Sequence, residues 1–336
     1  MKTRAEVING ELADTLKGGH QTPAGLISCP PFRVSRIIPF LLGINLGCHS
    51  TPPPRTTPPA ISIAAHAEDQ AVKLSQQQNW PAAARAWQLA ADRSSLLNDE
   101  GGEAVSLHNL AQAERQLGQN PAAHDHLEQA ATRNEKLGRT AEWWRNQIAL
   151  LQLEARTKNE EMLRARFEKL APLASQLRDL SLRGMFLNEL ALWQKSQDEL
   201  AKSETTFAEA ELAFKTANDT LGVATISANR AQLFEQQKAY PAAITSWKAA
   251  LAKFQSLADP PGIARALAGE GRALLAAHQE LSHAEDFLRR AAHNYHTLQD
   301  PKQAQTTLNL LAQCLAAEGK EKEAESVRQQ LQTPTP

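Results

Sequence analysis

The sequence predicts an all-α protein in which a pair of helices is repeated along the chain. The composition is 42% hydrophobic but only 5% aromatic, and abundant Ala, Leu, Gln and Glu favour helices over strands. Residues 78–94 (QNWPAAARAWQLAADRS) and 238–254 (KAYPAAITSWKAALAKF) share an aromatic-Pro-Ala-Ala phrase, followed by Trp and Ala at equal offsets. The prolines of these phrases, Pro81 and Pro241, lie 160 residues apart, which is four times a period of 40.

Four small or apolar positions recur with this period, one on the first helix of each unit and three on the second. The seven units carry there Ala71, Ala83, Trp87 and Ala90; Ala111, Ala123, Leu127 and Ala130; Leu151, Leu163, Phe167 and Leu170; Ala191, Ser203, Phe207 and Ala210; Ala231, Ala243, Trp247 and Ala250; Gly271, Ala284, Leu288 and Ala291; Ala312, Ala324, Arg328 and Leu331. One inserted residue in the turn at 277–282 explains the single shift of register, and the units then extend from about residue 62 to residue 331. The larger residues of the third unit predict that its two helices lie farther apart or that the stack bends there.

Repeated residues also predict where the helices begin. Proline is favoured in the first turn of a helix, and we assign Pro81, Pro121 and Pro241 to that position. Aspartate before a helix caps its free N–H groups. The junctions between units carry a column of such aspartates: Asp99, Asp179, Asp219, Asp259 and Asp300.

The pattern of a small residue on one helix and Ala-x3-aromatic-x2-Ala on the next resembles the tetratricopeptide repeat (TPR) family, in an extended class of 40 residues per unit. The resemblance covers residues 62–331, about four-fifths of the chain. It implies a right-handed helix-turn-helix solenoid of about seven 40-residue TPR-like repeats. It also implies a concave inner face, lined by the first helices, that binds a protein or peptide.

The positions expected on the inner face are rich in Arg, Asn and Gln. Such a lining suits an extended segment that carries carboxylates, because Asn and Gln bond its backbone and Arg pairs with acids. Six of the positions are basic, Glu68 and Glu235 are acidic, and we expect the basic residues to form an exposed stripe. A solvated polar face without a binding role is the alternative. The candidate partner-binding residues are His108, Gln112, Arg115, Arg145, Gln152, Arg156, Asn188, Lys195, Gln232, Arg265, Arg272 and Asn309.

Residues 34–48 (VSRIIPFLLGINLGC) have the layout of a secretory signal, with Arg36 before a short apolar run that ends at Gly-Cys. The segment resembles a bacterial lipoprotein signal, although Asn45 and Leu46 depart from the usual residues. The resemblance implies lipidation of Cys48 and, because His49 follows rather than Asp, an outer-membrane anchor facing the periplasm. Cleavage after Ala67, or an apolar patch that is not a signal, are the alternatives.

Three further segments lie outside the signal segment and the repeats. Residues 1–33 show no repeat and read as an unstructured extension, with Val34 as an alternative translation start. Residues 49–61 form a proline-rich linker, and residues 332–336 form a tail.

Composition and motifs argue against several classes of function. A net charge of −1 disfavours general nucleic-acid binding, and no apolar run is long enough to span a bilayer. The sequence has no nucleotide loop and no hydrolase or metalloprotease motif, so we expect neither catalysis nor a cofactor. We expect no metal site, with His293 and His296 on one helix face as the alternative, and we expect Cys314 to be a buried, unreactive thiol.

The sequence therefore predicts a protein–protein interaction scaffold or adaptor of the bacterial cell envelope. A cytoplasmic TPR regulator or adaptor without a functional signal peptide is the alternative. The Trp143-Trp144 pair is either an aromatic anchor for a ligand or part of the packing between units, and we expect one of the two rings to be partly exposed.

Overall fold

The computed structural model describes residues 59–332, which form fourteen α-helices and no strand within that range. The predicted extension, the signal segment with Cys48, most of the proline-rich linker and the last four residues lie outside the described range. The helices are α1 (Pro59–Gln76), α2 (Trp80–Leu96), α3 (Glu100–Gln116), α4 (Asn120–Lys136), α5 (Thr140–Thr157), α6 (Glu160–Ala174), α7 (Leu180–Ser196), α8 (Leu200–Thr216), α9 (Thr220–Gln236), α10 (Tyr240–Ser256), α11 (Pro260–Ala277), α12 (Leu281–Thr297), α13 (Pro301–Ala317) and α14 (Glu321–Gln332).

Successive helices pair as seven helix-turn-helix units in the predicted register. The odd-numbered helices are the first helices of the units, and they begin every 40 residues from α3 to α11. The predicted insertion is confirmed, because α12 begins 41 residues after α10, whereas α10 begins 40 residues after α8. The added residue leaves Glu280 with a left-handed backbone, at φ 43°. No helix within residues 59–332 is long and apolar enough to cross a membrane.

The helix starts follow the predicted signals with one exception. Pro81, Pro121 and Pro241 all lie in the first turn of a second helix. Four of the five aspartates accept a hydrogen bond from the backbone N–H three residues later, namely Asp99, Asp179, Asp219 and Asp300. Asp259 stands before its helix without such a bond, so its capping role was predicted wrongly. Two prolines follow it and Gly262 keeps the N–H three residues later, so Asp259 occupies the N-cap position without the side-chain bond.

Small residues bring the helices of neighbouring units into close contact. Trp247 is fully buried, and an added Cβ at Gly269 would overlap its indole ring. The indole of α10 therefore lies directly on the backbone of α11 in the next unit. Ala243 and Ala250, on the same face of α10, are also fully buried.

The third unit departs from this packing, as its larger residues predict. α5 and α6 make far fewer close contacts than the helices of any other unit in the described range. α6 is also the helix that contains Pro172, and no positive-φ residue closes the turn between it and α7. Aromatic rings fill the space: Trp144 and Phe167 both meet Phe186 edge-on or tilted, with centroids 5.6 and 5.9 Å apart. Trp144 is buried and Trp143 is half-buried, as expected of the pair.

The first helices line the inside of the array. Neighbouring first helices contact one another directly, α5 with α7, α7 with α9, α9 with α11 and α11 with α13. The polar inner face is consequently carried on a closely packed layer of helices, which fixes the relative positions of its side chains.

We expect Trp247→Ala to lower the free energy of unfolding by roughly 3–5 kcal/mol, because it leaves a cavity against α11. Leu212→Ala is the control, because Leu212 is 66% exposed on α8 and its loss should change stability by less than about 0.5 kcal/mol. Hydrogen exchange should show lost protection in α9–α12 and retained protection in α1–α4, since each unit contacts only its neighbours. A uniform loss of protection along the chain would contradict a solenoid.

Candidate partner-binding groove

The predicted inner-face residues lie on the first helices of six consecutive units. They are distributed as His108, Gln112 and Arg115 on α3, Arg145, Gln152 and Arg156 on α5, Asn188 and Lys195 on α7, Gln232 on α9, Arg265 and Arg272 on α11, and Asn309 on α13. Asn309 and Arg156 are exposed. The structure joins most of the others through hydrogen bonds between neighbouring units, and we call this surface the groove.

Hydrogen bonds between residues 37 apart in sequence cross the groove. The Arg115 guanidinium donates through Nη1 to Gln152 Oε1 at 3.2 Å, and Gln152 Nε2 donates to Glu189 Oε1 at 3.0 Å. A separation of 37 is one unit less three residues, or nearly one helical turn. Neighbouring first helices therefore meet with an offset of one turn, and each long side chain reaches back to the unit before or after it.

The chain of hydrogen bonds continues across two more units. Asn188 Nδ2 donates to Glu189 Oε1 at 3.2 Å, Asn229 Nδ2 donates to Asn188 Oδ1 at 2.7 Å, and Arg265 Nη2 donates to Asn229 Oδ1 at 2.6 Å. Five first helices are thus linked without interruption, from α3 to α11. We call this set the inner ladder, and its members are Arg115, Gln152, Glu189, Asn188, Asn229 and Arg265.

A second group of bonds ties the groove to the core. Arg272 on α11 donates through Nε and Nη2 to the two carboxylate oxygens of Glu235 on α9, at 2.8 and 3.2 Å. Glu235 Oε1 also accepts from the buried Trp247 indole Nε1 at 2.6 Å. Lys195 Nζ lies 3.5 Å from Gln232 Oε1, a weaker contact.

The expected exposed stripe of cations is corrected by these contacts. Arg272 is held by Glu235, Arg265 by Asn229, and Arg115 by Gln152. The offset of one turn places a partner opposite each of these guanidinium groups. Arg156, and Lys195 with its single weak contact, are the cations of the groove that remain most available to a ligand.

His108 and Gln112 are buried beneath the groove. Burial, reinforced by Arg115 and Arg145, lowers the pKa of His108 to about 4, so the ring is neutral near pH 7. Its Nδ1 then accepts from Asn146 Nδ2 at 2.9 Å, a bond that places the ring proton on Nε2. His108 consequently supports the wall of the groove from below.

Cations crowd one another at two places in the groove. The pKa of Lys195 is lowered by burial and then by Arg265, with a smaller contribution from Arg272. The pKa of Arg115 is lowered by burial and then by Arg156. Carboxylates already present act in the opposite direction, Glu235 at Lys195 and Glu189 at Arg115, and an anion of a ligand would add to this compensation.

Glu189 was missed by the sequence analysis, which counted only Glu68 and Glu235 as acidic. Burial raises the pKa of Glu189, although the amides of Gln152 and Asn188 and the charge of Arg115 act in the opposite direction. The position lies 37 residues after Gln152, the same spacing as between Arg115 and Gln152, but the sequence carries no sign of this offset. That offset depends on how the helices cross, and only the structure gives the crossing.

Two further groups of residues considered in the sequence analysis are His293 with His296, and Cys314. His293 and His296 line an open cavity of about 440 Å³ beside α13 and α14, and no cluster of three metal-ligating side chains occurs in the described part of the chain. Burial, followed by the charges of Glu318 and Glu285, raises the pKa of Cys314 to about 11. The thiol is therefore protonated at neutral pH, which agrees with the expected unreactive role.

Comparison with known proteins supports the fold. No family model matches the chain, and no curated protein matches it. The structure is similar to Rap protein complexed with Competence and Sporulation Factor, with 14% identity over 80% of this chain and 78% of the other, at a TM-score of 0.56. It is also similar to the apo form of RapI, with 12% identity over 76% of this chain and 99% of the other, at a TM-score of 0.54.

A looser likeness links the chain to the TPR2AB domain of yeast Sti1, with 16% identity over 75% of this chain and 98% of the other, at a TM-score of 0.33. The fold is an all-α helix-turn-helix solenoid of TPR-like repeats. At this low sequence identity, the similarity to the Rap proteins shows the fold alone.

We expect Arg272→Glu to destabilise the protein by about 1–2 kcal/mol, because it breaks a partly exposed ion pair and sets two carboxylates against each other. Arg156→Glu is the matched variant, since the exposed Arg156 has no hydrogen bond within residues 59–332; its effect should stay below about 0.5 kcal/mol. Chemical denaturation of the two variants measures the difference. Equal stability of both variants would mean that the Arg272–Glu235 pair does not hold α9 and α11 together.

Proposed function

We propose that the protein is a protein–protein interaction scaffold or adaptor that binds an extended, acidic segment of a partner in its groove. The observation that carries the proposal is that two cations remain available at two places on one continuous surface: the exposed Arg156 near Arg115, and Lys195, with its one contact of 3.5 Å, near Arg265. Carboxylates on a ligand would relieve the repulsion at both places.

The amide side chains suit an extended backbone. Gln152 uses one N–H and one lone pair in the inner ladder, so a second N–H is left for a ligand carbonyl. Gln232 accepts only the weak contact from Lys195 and keeps both of its N–H groups. Asn309 is exposed farther along, on α13. Spaced amides of this kind form hydrogen bonds with main-chain groups of a ligand, whatever its side chains.

The similarity to Rap protein supports this use of the fold. That protein was solved in complex with Competence and Sporulation Factor, so one solenoid of this shape is a binding protein. We carry over to this chain only the mode of action, which is binding. The chemistry of its partner is inferred from the residues of its own groove.

The binding test uses the full chain and a fluorescent peptide that carries glutamate pairs at both ends. Arg156→Glu with Lys195→Glu should weaken binding at least tenfold, or about 1.4 kcal/mol. The melting temperature should stay nearly unchanged, because these two cations make the fewest contacts in the groove. High salt should weaken the wild-type complex in the same direction.

A matched control comes from the second helix of the third unit. Arg164→Glu with Lys169→Glu makes the same change in charge on exposed residues of α6, outside the groove, and should leave binding unchanged. If the control weakens binding as much as the groove variant, net charge explains the effect and the groove has no special part in it.

We further propose that Cys48 is lipidated and anchors the solenoid to the bacterial outer membrane, facing the periplasm. The basis is the run of residues 34–48, with Arg36, a short apolar stretch and a terminal Gly-Cys. The proline-rich linker would hold the groove away from the membrane surface. A cytoplasmic adaptor with the same groove is the competing proposal.

Metabolic labelling with palmitate separates the two locations. The wild-type chain should incorporate label and fractionate with membranes, and Cys48→Ala should lose both properties. Cys314→Ala is the control, because it removes a buried cysteine from the solenoid and should keep the label. Label that persists in Cys48→Ala, or wild-type protein found in the cytosol, would favour the cytoplasmic adaptor.

A further inference from the structure

We infer that the groove selects a segment in which a basic residue lies between two acidic stretches, and that Glu189 is the residue that recognises the basic position. The inference rests on the proposed function, because it concerns the ligand of the same groove. It adds a charge pattern and a specificity-determining residue to that proposal.

Glu189 differs from the other carboxylates near the first helices in its partners. Its Oε1 accepts hydrogen bonds from the amides of Gln152 and Asn188, and within residues 59–332 it forms no ion pair. Arg115 attracts it but donates its own hydrogen bond to Gln152. By contrast, Glu235 is paired with Arg272 at 2.8 Å.

The negative charge of a carboxylate without an ion-pair partner is only partly compensated. Amide donors stabilise a carboxylate but bring no charge, and a partly buried charge without a counterion is costly. An ammonium or guanidinium group from a ligand would supply the missing charge at Glu189. A carboxylate of the ligand at the same place would instead meet like charge, so a continuously acidic segment fits the groove poorly.

The order of charges along the groove is positive, negative, positive. Arg115 and Arg156 lie on α3 and α5, Glu189 lies on α7, and Arg265 lies on α11, with Lys195 beside it at the end of α7. The complementary ligand is acidic, then basic, then acidic. Electrostatic complementarity of this kind selects partners and fixes their register in a site.

The distances between helices set the spacing of the pattern. Packed helices lie about 8–10 Å apart, and an extended chain rises about 3.3 Å per residue, so one unit corresponds to about three residues. The basic residue should therefore lie about three residues from one acidic stretch. The other acidic stretch should lie about three to six residues away on the opposite side, because its cations are spread from α7 to α11.

Three fluorescent peptides of about eleven residues test the pattern on the full chain. Each has two glutamates at both ends and serines between them, and the central residue is lysine, serine or glutamate. A fourth peptide, with serines in place of the glutamates and a central lysine, reports whether the acidic ends matter. We expect the central lysine to bind about tenfold more tightly than serine and the central glutamate to bind more weakly than serine.

Glu189→Gln should bring the affinities of the three acidic-ended peptides to within about twofold of one another. The substitution keeps an oxygen that can accept from Gln152 and Asn188 and removes the charge. Glu168→Gln, on the exposed face of α6, is the control and should keep the preference for lysine. If Glu189→Gln fails to fold by its melting curve, Glu189→Asp should still reduce the preference, because the shorter carboxylate draws back from the groove.

The outcomes separate this inference from the proposed function. Equal binding of the three acidic-ended peptides to the wild-type chain, or a lysine preference that survives Glu189→Gln, would overturn the role of Glu189. Either result leaves the acidic-ligand groove intact if the serine-ended peptide still binds more weakly. Equal or absent binding of all four peptides would overturn the groove itself and this inference with it.

Discussion

The polar surface of the groove depends on the close approach of neighbouring first helices. Neighbouring first helices contact one another from α5 to α13. Each also lies against its own second helix through a small buried residue, such as Ala111, Ala191 or Ala231, because small residues let helix backbones approach closely. Because the helices meet with an offset of one turn, side chains 37 residues apart come within hydrogen-bond distance. The inner ladder is therefore a consequence of the helix packing. A change in the crossing angle of the helices would break several of its hydrogen bonds at once.

The third unit shows how the array tolerates a departure from this packing. Leu151, Leu163 and Leu170 stand where most other units carry alanine, and α6 lies less closely against α5. Arg166 ties α6 back to its neighbours, because its guanidinium donates to Glu154, Gln147 and Glu128 at 2.6–3.0 Å. Such a network satisfies a buried charge in a way that a single pair does not.

This departure also bears on the groove. α5 and α7 contact each other more extensively than any other neighbouring first helices in the described range, while α6 behind them is loosely held. The Gln152–Glu189 bond crosses this junction. The point at which the inner face is tightest is thus the point at which we place recognition of the ligand's basic residue.

The period of the sequence was enough to predict the fold in detail. It gave the helix pairs, the proline starts, the inserted residue before α12 and the looser third unit, because each of these depends on local residues. The inner-face residues were also placed on the correct helices. Which of them pair with one another was not predictable, since pairing depends on the crossing of helices in different units. Glu189, Asn229 and Asn146 were missed for that reason.

Burial produced the remaining differences between expectation and structure. His108 lies on the expected side of α3, yet it is covered and neutral because Asn146 and Gln112 enclose it. Arg265 and Arg272 were expected as free cations and are instead fixed by Asn229 and Glu235. A period places a residue on a face of a helix, but the length of its neighbours' side chains decides whether it is exposed there.

Photo-crosslinking of the acidic-ended peptide tests most directly whether the inner face is the binding surface. A benzophenone amino acid would replace Gln232 on α9, Asn309 on α13 or Lys169 on α6, which leaves the cations of the groove in place. The account predicts that the peptide crosslinks to the two inner positions and not to position 169. Crosslinking at position 169 with none at positions 232 and 309 would place the ligand on the outer face and contradict the account.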